Sequence, residues 1–128
     1  MILADTSIWI QFFRNGAHRT ELEALVNNQQ LVTHPCVVAE LALGSLRNRQ
    51  QTLADLDCLP QLVVVSIEDV RLMVEARQIY AKGVGLTDAH LLAACLATAS
   101  TKLWTSDRRL GEIAEALGIR ADLTHPLN

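Results

Sequence analysis

Short apolar runs alternate along this chain with longer stretches in which apolar positions recur every three or four residues. Runs of strand length are Ile2-Leu3-Ala4, Leu31-Val32-Thr33, Leu62-Val63-Val64-Val65 and Lys102-Leu103-Trp104-Thr105, with a weaker candidate near Ala121-Asp122-Leu123. Between them lie helical patterns. Leu22, Leu25 and Val26 share a face, as do Val37 and Leu41, followed one turn on by Gly44 and Ser45. Val70, Val74, Arg77 and Ile79 lie near one stripe, Leu91, Leu92, Cys95, Leu96 and Ala99 form another, and Leu110, Ile113, Ala114 and Leu117 a third. Strands separated by helices need crossover connections, so the pattern predicts an α/β fold with a mostly parallel central sheet between helices. Ligands in such folds bind outside the carboxyl ends of the strands, which is where chemistry is expected.

With 128 residues and 14.1 kDa, the expectation is a single domain over 1–128. A chain of this size buries roughly two-thirds of its unfolded surface, enough for a self-standing core. Half of the residues are apolar, which excludes disorder, and only 4% are aromatic, so the core is aliphatic. A net charge of −3 argues against a sequence-independent nucleic-acid coat, but not against an enzyme that meets nucleic acid through metal ions. No apolar run is long enough to span a membrane, and Met1-Ile2-Leu3-Ala4-Asp5 does not read as a signal peptide. Cys36, Cys58 and Cys95 are odd in number and form no C-x-x-C, which predicts reduced, packed thiols in a cytoplasmic protein.

The acids at the strand ends stand out. Asp5 directly follows the first strand, Asp107 follows the Lys102–Thr105 run, and Asp88 opens the helix after Gly83-Val84-Gly85-Leu86-Thr87. Each is explained equally by a capping role at a helix N-terminus. Glu40 is the only charge in Pro35-Cys36-Val37-Val38-Ala39-Glu40-Leu41-Ala42-Leu43-Gly44, so it either borders an apolar stripe as a paired group or snorkels to water. Asp88 shares a face with Leu91, Leu92 and Cys95, and Asp107 lies three residues before Leu110, so both are expected to point toward core-facing stripes. If the four acids meet, two carboxylates about 5 Å apart repel by roughly 3 kcal/mol at an effective dielectric of about 20. Such a cluster takes up protons or a divalent cation, and an oxygen-only donor set suits Mg²⁺ or Mn²⁺. A site of that kind suits phosphodiester hydrolysis.

Asp5-Thr6-Ser7, Glu40 within Val-x-x-Glu-Leu, Thr87-Asp88-Ala89-His90-Leu91-Leu92-Ala93-Ala94 and Trp104-Thr105-Ser106-Asp107-Arg108-Arg109-Leu110 occur in the order found in one family. The chain resembles the PIN-domain family, in particular its VapC-type toxin branch, from position 1 to about 111. The resemblance implies a three-layer α/β/α sandwich and a Mg²⁺- or Mn²⁺-dependent endoribonuclease, with Asp5, Glu40, Asp88 and Asp107 as catalytic and metal-binding acids. It also implies a homodimer and neutralisation by a cognate VapB-type antitoxin whose tail blocks the active-site groove. One position departs from the pattern. Many members carry another acid two residues after the fourth, and here that residue is Arg109. The departure leaves a first metal on Asp5 and Asp88 intact and counts against a second.

The basic residues are nine Arg and two Lys, a bias compatible with RNA contact because Arg meets phosphate oxygens bidentately. Arg47 with Arg49 and Arg108 with Arg109 are the candidate RNA-binding pairs, against a simple solvated surface for each. His18, His34, His90 and His125 have no zinc-ligand spacing, and His90, two positions past Asp88, is expected to point away from the acids. Gly83-Val84-Gly85 lacks a third glycine and a preceding strand, so it reads as a turn rather than a dinucleotide loop. Trp9, Phe12 and Phe13 read as core, with a partner surface as the alternative. A receiver-like signalling module would share the size and fold class, but Asp5 stands alone, the Leu62–Val65 run ends in Ser66, and Lys102 precedes its strand. A catalytically weak PIN-fold binding module is the other alternative.

Overall fold

The computed structural model describes residues 1–123, so His125 and the end of the expected 1–128 unit lie outside the described residues. In chain order the elements are β1 (Ile2–Ala4), α1 (Thr6–Asn15), α2 (Arg19–Asn27), β2 (Leu31–Val32), α3 (Pro35–Leu43), α4 (Arg49–Asp57), α5 (Ile67–Ala76), α6 (Leu86–Ala97), β3 (Lys102–Trp104) and α7 (Arg108–Ala116). The strands form a parallel sheet in the order β2-β1-β3, with Ile2 opposite both Leu31 and Lys102. Each connection between them carries helices, as parallel pairing requires. The fold is the expected α/β arrangement.

Two predicted strands shrink to single bridges at the sheet edges. Thr33 bridges Gln61 and Leu103 bridges Arg120, both in parallel. After Leu62 donates its N–H to Thr33 the chain leaves the sheet, and Val63 is 79% exposed, so the Val63–Val65 run is loop rather than strand. Likewise Leu103 exchanges backbone bonds with Ile119 and Ala121 and no further, which leaves the Ala121–Leu123 candidate as an edge contact. The pattern also missed α4, whose residues Arg-Gln-Gln-Thr-Leu-Ala-Asp-Leu-Asp bury only Leu56. With Leu53, Ala54 and Leu56 as its only apolar residues, the helix carries too little apolar period to read.

The core is aliphatic, as the composition requires. Leu3 and Leu103 from the sheet pack with Ile8 of α1, Leu25 of α2, Val37 of α3, Leu91 and Leu92 of α6 and Leu110 of α7. α6 buries six side chains, Ala89 and Leu91 through Cys95, with His90 half-buried among them, and so lies in the interior rather than on a face. Trp9 is buried, while Phe12 is half-buried and Phe13 exposed. The three thiols are free, but only Cys95 is deeply buried: Cys36 is half-buried and Cys58 exposed, a correction to the expectation that all three pack inside.

Topology positions the site. β1 and β3 are parallel neighbours, so their carboxyl ends emerge side by side, and the N–H of Asp5 donates to the carbonyl of Trp104 at 3.0 Å. α3 packs against both α1 and α6, bringing two more helices to the same edge.

Candidate active site

Asp5 is the N-cap of α1 and is 4% exposed, a buried acid surrounded by hydrogen-bond donors. Its Oδ1 accepts from the Ile8 N–H at 3.2 Å and from the Ser7 hydroxyl at 2.5 Å, while its Oδ2 accepts from the Thr105 hydroxyl. Burial raises its pKa above the usual Asp value, and the hydrogen bonds from Ser7, Thr105 and the backbone oppose that rise. Asp107 is the N-cap of α7 and accepts the Leu110 N–H on Oδ1 at 3.0 Å. The capping readings of Asp5 and Asp107 are therefore correct as structure. Asp107 is nevertheless exposed rather than turned toward the core.

Asp88 is not a cap. Gly85 takes that position, and Asp88 sits within the first turn of α6, half-buried. Its pKa is pushed up to about 6, first by burial and then by the negative charges of Asp5, Asp107 and Glu40. Four acids from four separated segments thus lie within electrostatic reach of one another. Glu40 lies on the exposed side of α3, as in the snorkelling alternative, and its Oε1 accepts the Thr6 hydroxyl at 2.6 Å. Thr6 follows Asp5, so this bond ties the α3 acid to the start of α1.

The hydroxyls around Asp5 form a network that the charged pattern alone did not reveal. Ser7 Oγ also receives the Ser106 N–H at 3.1 Å, and Thr105 Oγ receives the Asp107 N–H at 3.0 Å. Their signal in the sequence is the Thr/Ser pairing beside an acid after two different strands, Asp5-Thr6-Ser7 and Thr105-Ser106-Asp107. His90 points away from the acids toward His34, with ring centroids 6.4 Å apart. His34 Nδ1 accepts the Cys36 N–H as the cap of α3, and burial followed by the neighbouring His90 lowers its pKa.

The candidate RNA-binding arginines divide. Arg49 donates to the carbonyls of Gly44 and Ala42 and so caps the end of α3, and Arg108 pairs with Glu112 at 3.1 Å. Arg47 and Arg109 make no ion pair among the described residues. Arg47 lines a cavity of about 820 Å³ with Glu40, Phe13 and Arg14, beside the acids.

The PIN domain family matches residues 2–116. The chain belongs to the PIN-domain family. Two curated relatives are Ribonuclease VapC32 of Mycobacterium tuberculosis strain CDC 1551 / Oshkosh and of strain ATCC 25618 / H37Rv. Each is 37% identical over 119 residues, covering 93% of this chain and 94% of the relative. In this PIN domain the carboxyl edge of the sheet carries the conspicuous acids, and no helix among the described residues is long and apolar enough to cross a membrane.

The donor set fits a hard divalent cation. Among the described residues no three His, Cys, Asp or Glu side chains form a ready-made metal cage. Mg²⁺ does not require one, because it keeps several waters and takes one or two carboxylates. A cation held there would relieve the repulsion at Asp88.

Proposed function

We propose that this chain is a Mg²⁺- or Mn²⁺-dependent endoribonuclease of the VapC type, the toxin of a toxin–antitoxin pair, acting as one PIN-like unit. The observation that carries the reading is the gathering of Asp5 and Asp107 at the adjoining ends of β1 and β3, linked through Thr105, with Glu40 tied to the same edge by Thr6 and Asp88 feeling the charge of all three. Membership of the PIN-domain family and the likeness to proteins named as ribonucleases support it. Asp5 and Asp88 would hold the cation, with Glu40 and Asp107 completing its surroundings directly or through water. A divalent cation there supplies charge neutralisation at a phosphate and acidifies a bound water.

The chain's own residues have separable tasks. Ser7, Thr105 and the Ile8 N–H orient both oxygens of Asp5 and favour its ionised form against burial. Thr6 occupies Oε1 of Glu40, leaving Oε2 to take a proton from the attacking water. The Leu110 N–H likewise engages Oδ1 of Asp107, so that Oδ2 would be the atom to reach the cation or its water. Partners follow from the same reading: RNA as substrate, a VapB-type antitoxin as inhibitor, and a second copy of the chain as a dimer partner, in the cytoplasm.

The test is incubation of the purified chain with total cellular RNA and Mn²⁺, beside samples with EDTA or with Asp88→Asn. Discrete fragments in the first sample alone are expected. Equal cleavage in EDTA would overturn the metal-dependent reading, and no cleavage of any RNA would overturn the ribonuclease.

A further inference from the structure

We propose that Arg77, Lys82 and Arg109 form a phosphate-binding subsite that grips the RNA strand as it leaves the acidic centre, a proposal that rests on the ribonuclease reading above. The three cations come from separate segments: the C-cap of α5, the loop before α6 and the first turn of α7. They rim one cavity of about 350 Å³ whose floor includes Ile79, Ile113 and Leu117. The one acid on that rim, Glu112, is engaged by Arg108 at 3.1 Å. None of the three cations makes an ion pair among the described residues, so the cavity presents unneutralised positive charge.

Arg109 and the Lys82 loop are fitted to each other. Gly83 has φ +79°, and the Arg109 side chain lies in the space where a Cβ would stand, with Cδ and Cζ at 3.2 and 3.3 Å from that point. A side chain at 83 would displace the guanidinium, so the glycine lets Arg109 lie against the loop that carries Lys82. The loop is itself anchored by Ile79, 3% exposed, whose N–H donates to Val74 at 3.0 Å. Gly83, which Arg109 lies against, is two residues before the Gly85 cap of α6, whose first turn carries Asp88, and Arg109 itself is in the first turn of α7 after the Asp107 cap, so the cationic rim lies at the helix starts that carry two of the acids.

The chemistry suits a phosphodiester strand better than a carboxylate side chain. Cations spread over one rim match successive phosphates, and two of the three are guanidinium forks. An acidic centre repels RNA unless cations beside it hold the backbone, and this rim supplies them.

The test measures binding of a short, uncleavable 2′-O-methylated single-stranded RNA by fluorescence anisotropy across a salt series, with parallel cleavage assays. Each single-strand phosphate contact contributes about 0.7 to the slope of log affinity against log salt. The variant Arg77→Ala/Lys82→Ala/Arg109→Ala should lower that slope by about 2 and weaken binding by about tenfold. Arg71→Ala, on α5 but lining a different cavity, should change neither. All three substituted positions are exposed, and a thermal melt verifies that the variant is folded. If the unsubstituted protein binds and cuts RNA while the triple variant keeps its slope and affinity, the subsite falls alone. If the unsubstituted protein neither binds nor cuts RNA, the ribonuclease reading falls and takes the subsite with it. Loss of poly-glutamate binding with RNA binding intact would overturn the subsite in favour of an acidic protein partner.

Discussion

Thr105 donates its hydroxyl to Oδ2 of Asp5 across 100 residues of sequence, joining the residue after β3 to the residue after β1. Both groups lie at the carboxyl edge because the two strands are parallel neighbours in register. The buried acid is thereby held by both strand ends. Thr105→Val keeps the shape and removes the donor. It should lower activity by about 10–100-fold, the usual cost of losing a group that supports a metal ligand, while the protein stays folded. Unchanged kcat and metal affinity in this variant would show that the bond is incidental.

Asp88 carries a cost that removal should reveal. Asp88→Asn deletes the charge that Asp5, Asp107 and Glu40 oppose. Without divalent metal, the variant should be more stable than the parent by roughly 1–3 kcal/mol and yet inactive. Denaturant melts in EDTA check the first half and RNA cleavage the second. A less stable variant would mean that Asp88 makes favourable contacts outweighing the repulsion.

The same group sets a pH dependence. Its folded pKa of about 6 exceeds the ordinary 3.8, so the folded state binds the proton more tightly. That contribution to stability is fully present below about 3.8 and is lost as pH rises through about 6. His34 acts with the opposite sign, since its lowered pKa gives stability that is present above 6.5 and lost as pH falls below it. Comparing melting temperatures of the parent and Asp88→Asn across pH 4–7 in EDTA isolates the Asp88 part. The advantage of the variant should grow with pH; a constant difference would contradict the assignment.

Arg47 and Arg49 are predicted to behave differently despite their proximity. Arg49 bonds the last carbonyls of α3, so Arg49→Ala should cost about 1 kcal/mol of stability. Arg47 lines the cavity beside Glu40 and makes no ion pair among the described residues. Arg47→Ala should raise KM and reduce the salt slope of RNA binding by about 0.7 with little effect on melting. Steady-state kinetics and thermal melts on both variants decide the matter.

What the sequence made legible follows the strength of each physical signal. β1, β3 and α7 were readable because their apolar residues are buried at the period that betrays them, as Leu3, Leu103 and Leu110 illustrate, whereas α6 was readable from its apolar run but is buried nearly all round, and the stripe expected to reach Ala99 ends with the helix at Ala97. The Val63–Val65 run misled because β propensity does not supply a strand with a neighbour to pair with. α4 was invisible because it buries little beyond Leu56. At the site, the four acids were visible as charges at strand ends or within an apolar helix. Their hydroxyl supports were not, because Ser7 and Thr105 acquire meaning only when β1 and β3 are placed side by side. The division between capping Arg49 and unpaired Arg47 likewise depends on where α3 ends.

The claim at the centre is that Asp5, Glu40, Asp88 and Asp107 serve one divalent cation. Titration of Mn²⁺ into the metal-stripped protein, followed by electron paramagnetic resonance, tests it without reference to any RNA. The parent should bind Mn²⁺ saturably, Asp5→Asn and Asp88→Asn should lose that binding, and Glu40→Gln and Asp107→Asn should weaken it. Mn²⁺ binding that is equally tight in the parent and in Asp88→Asn would contradict the site.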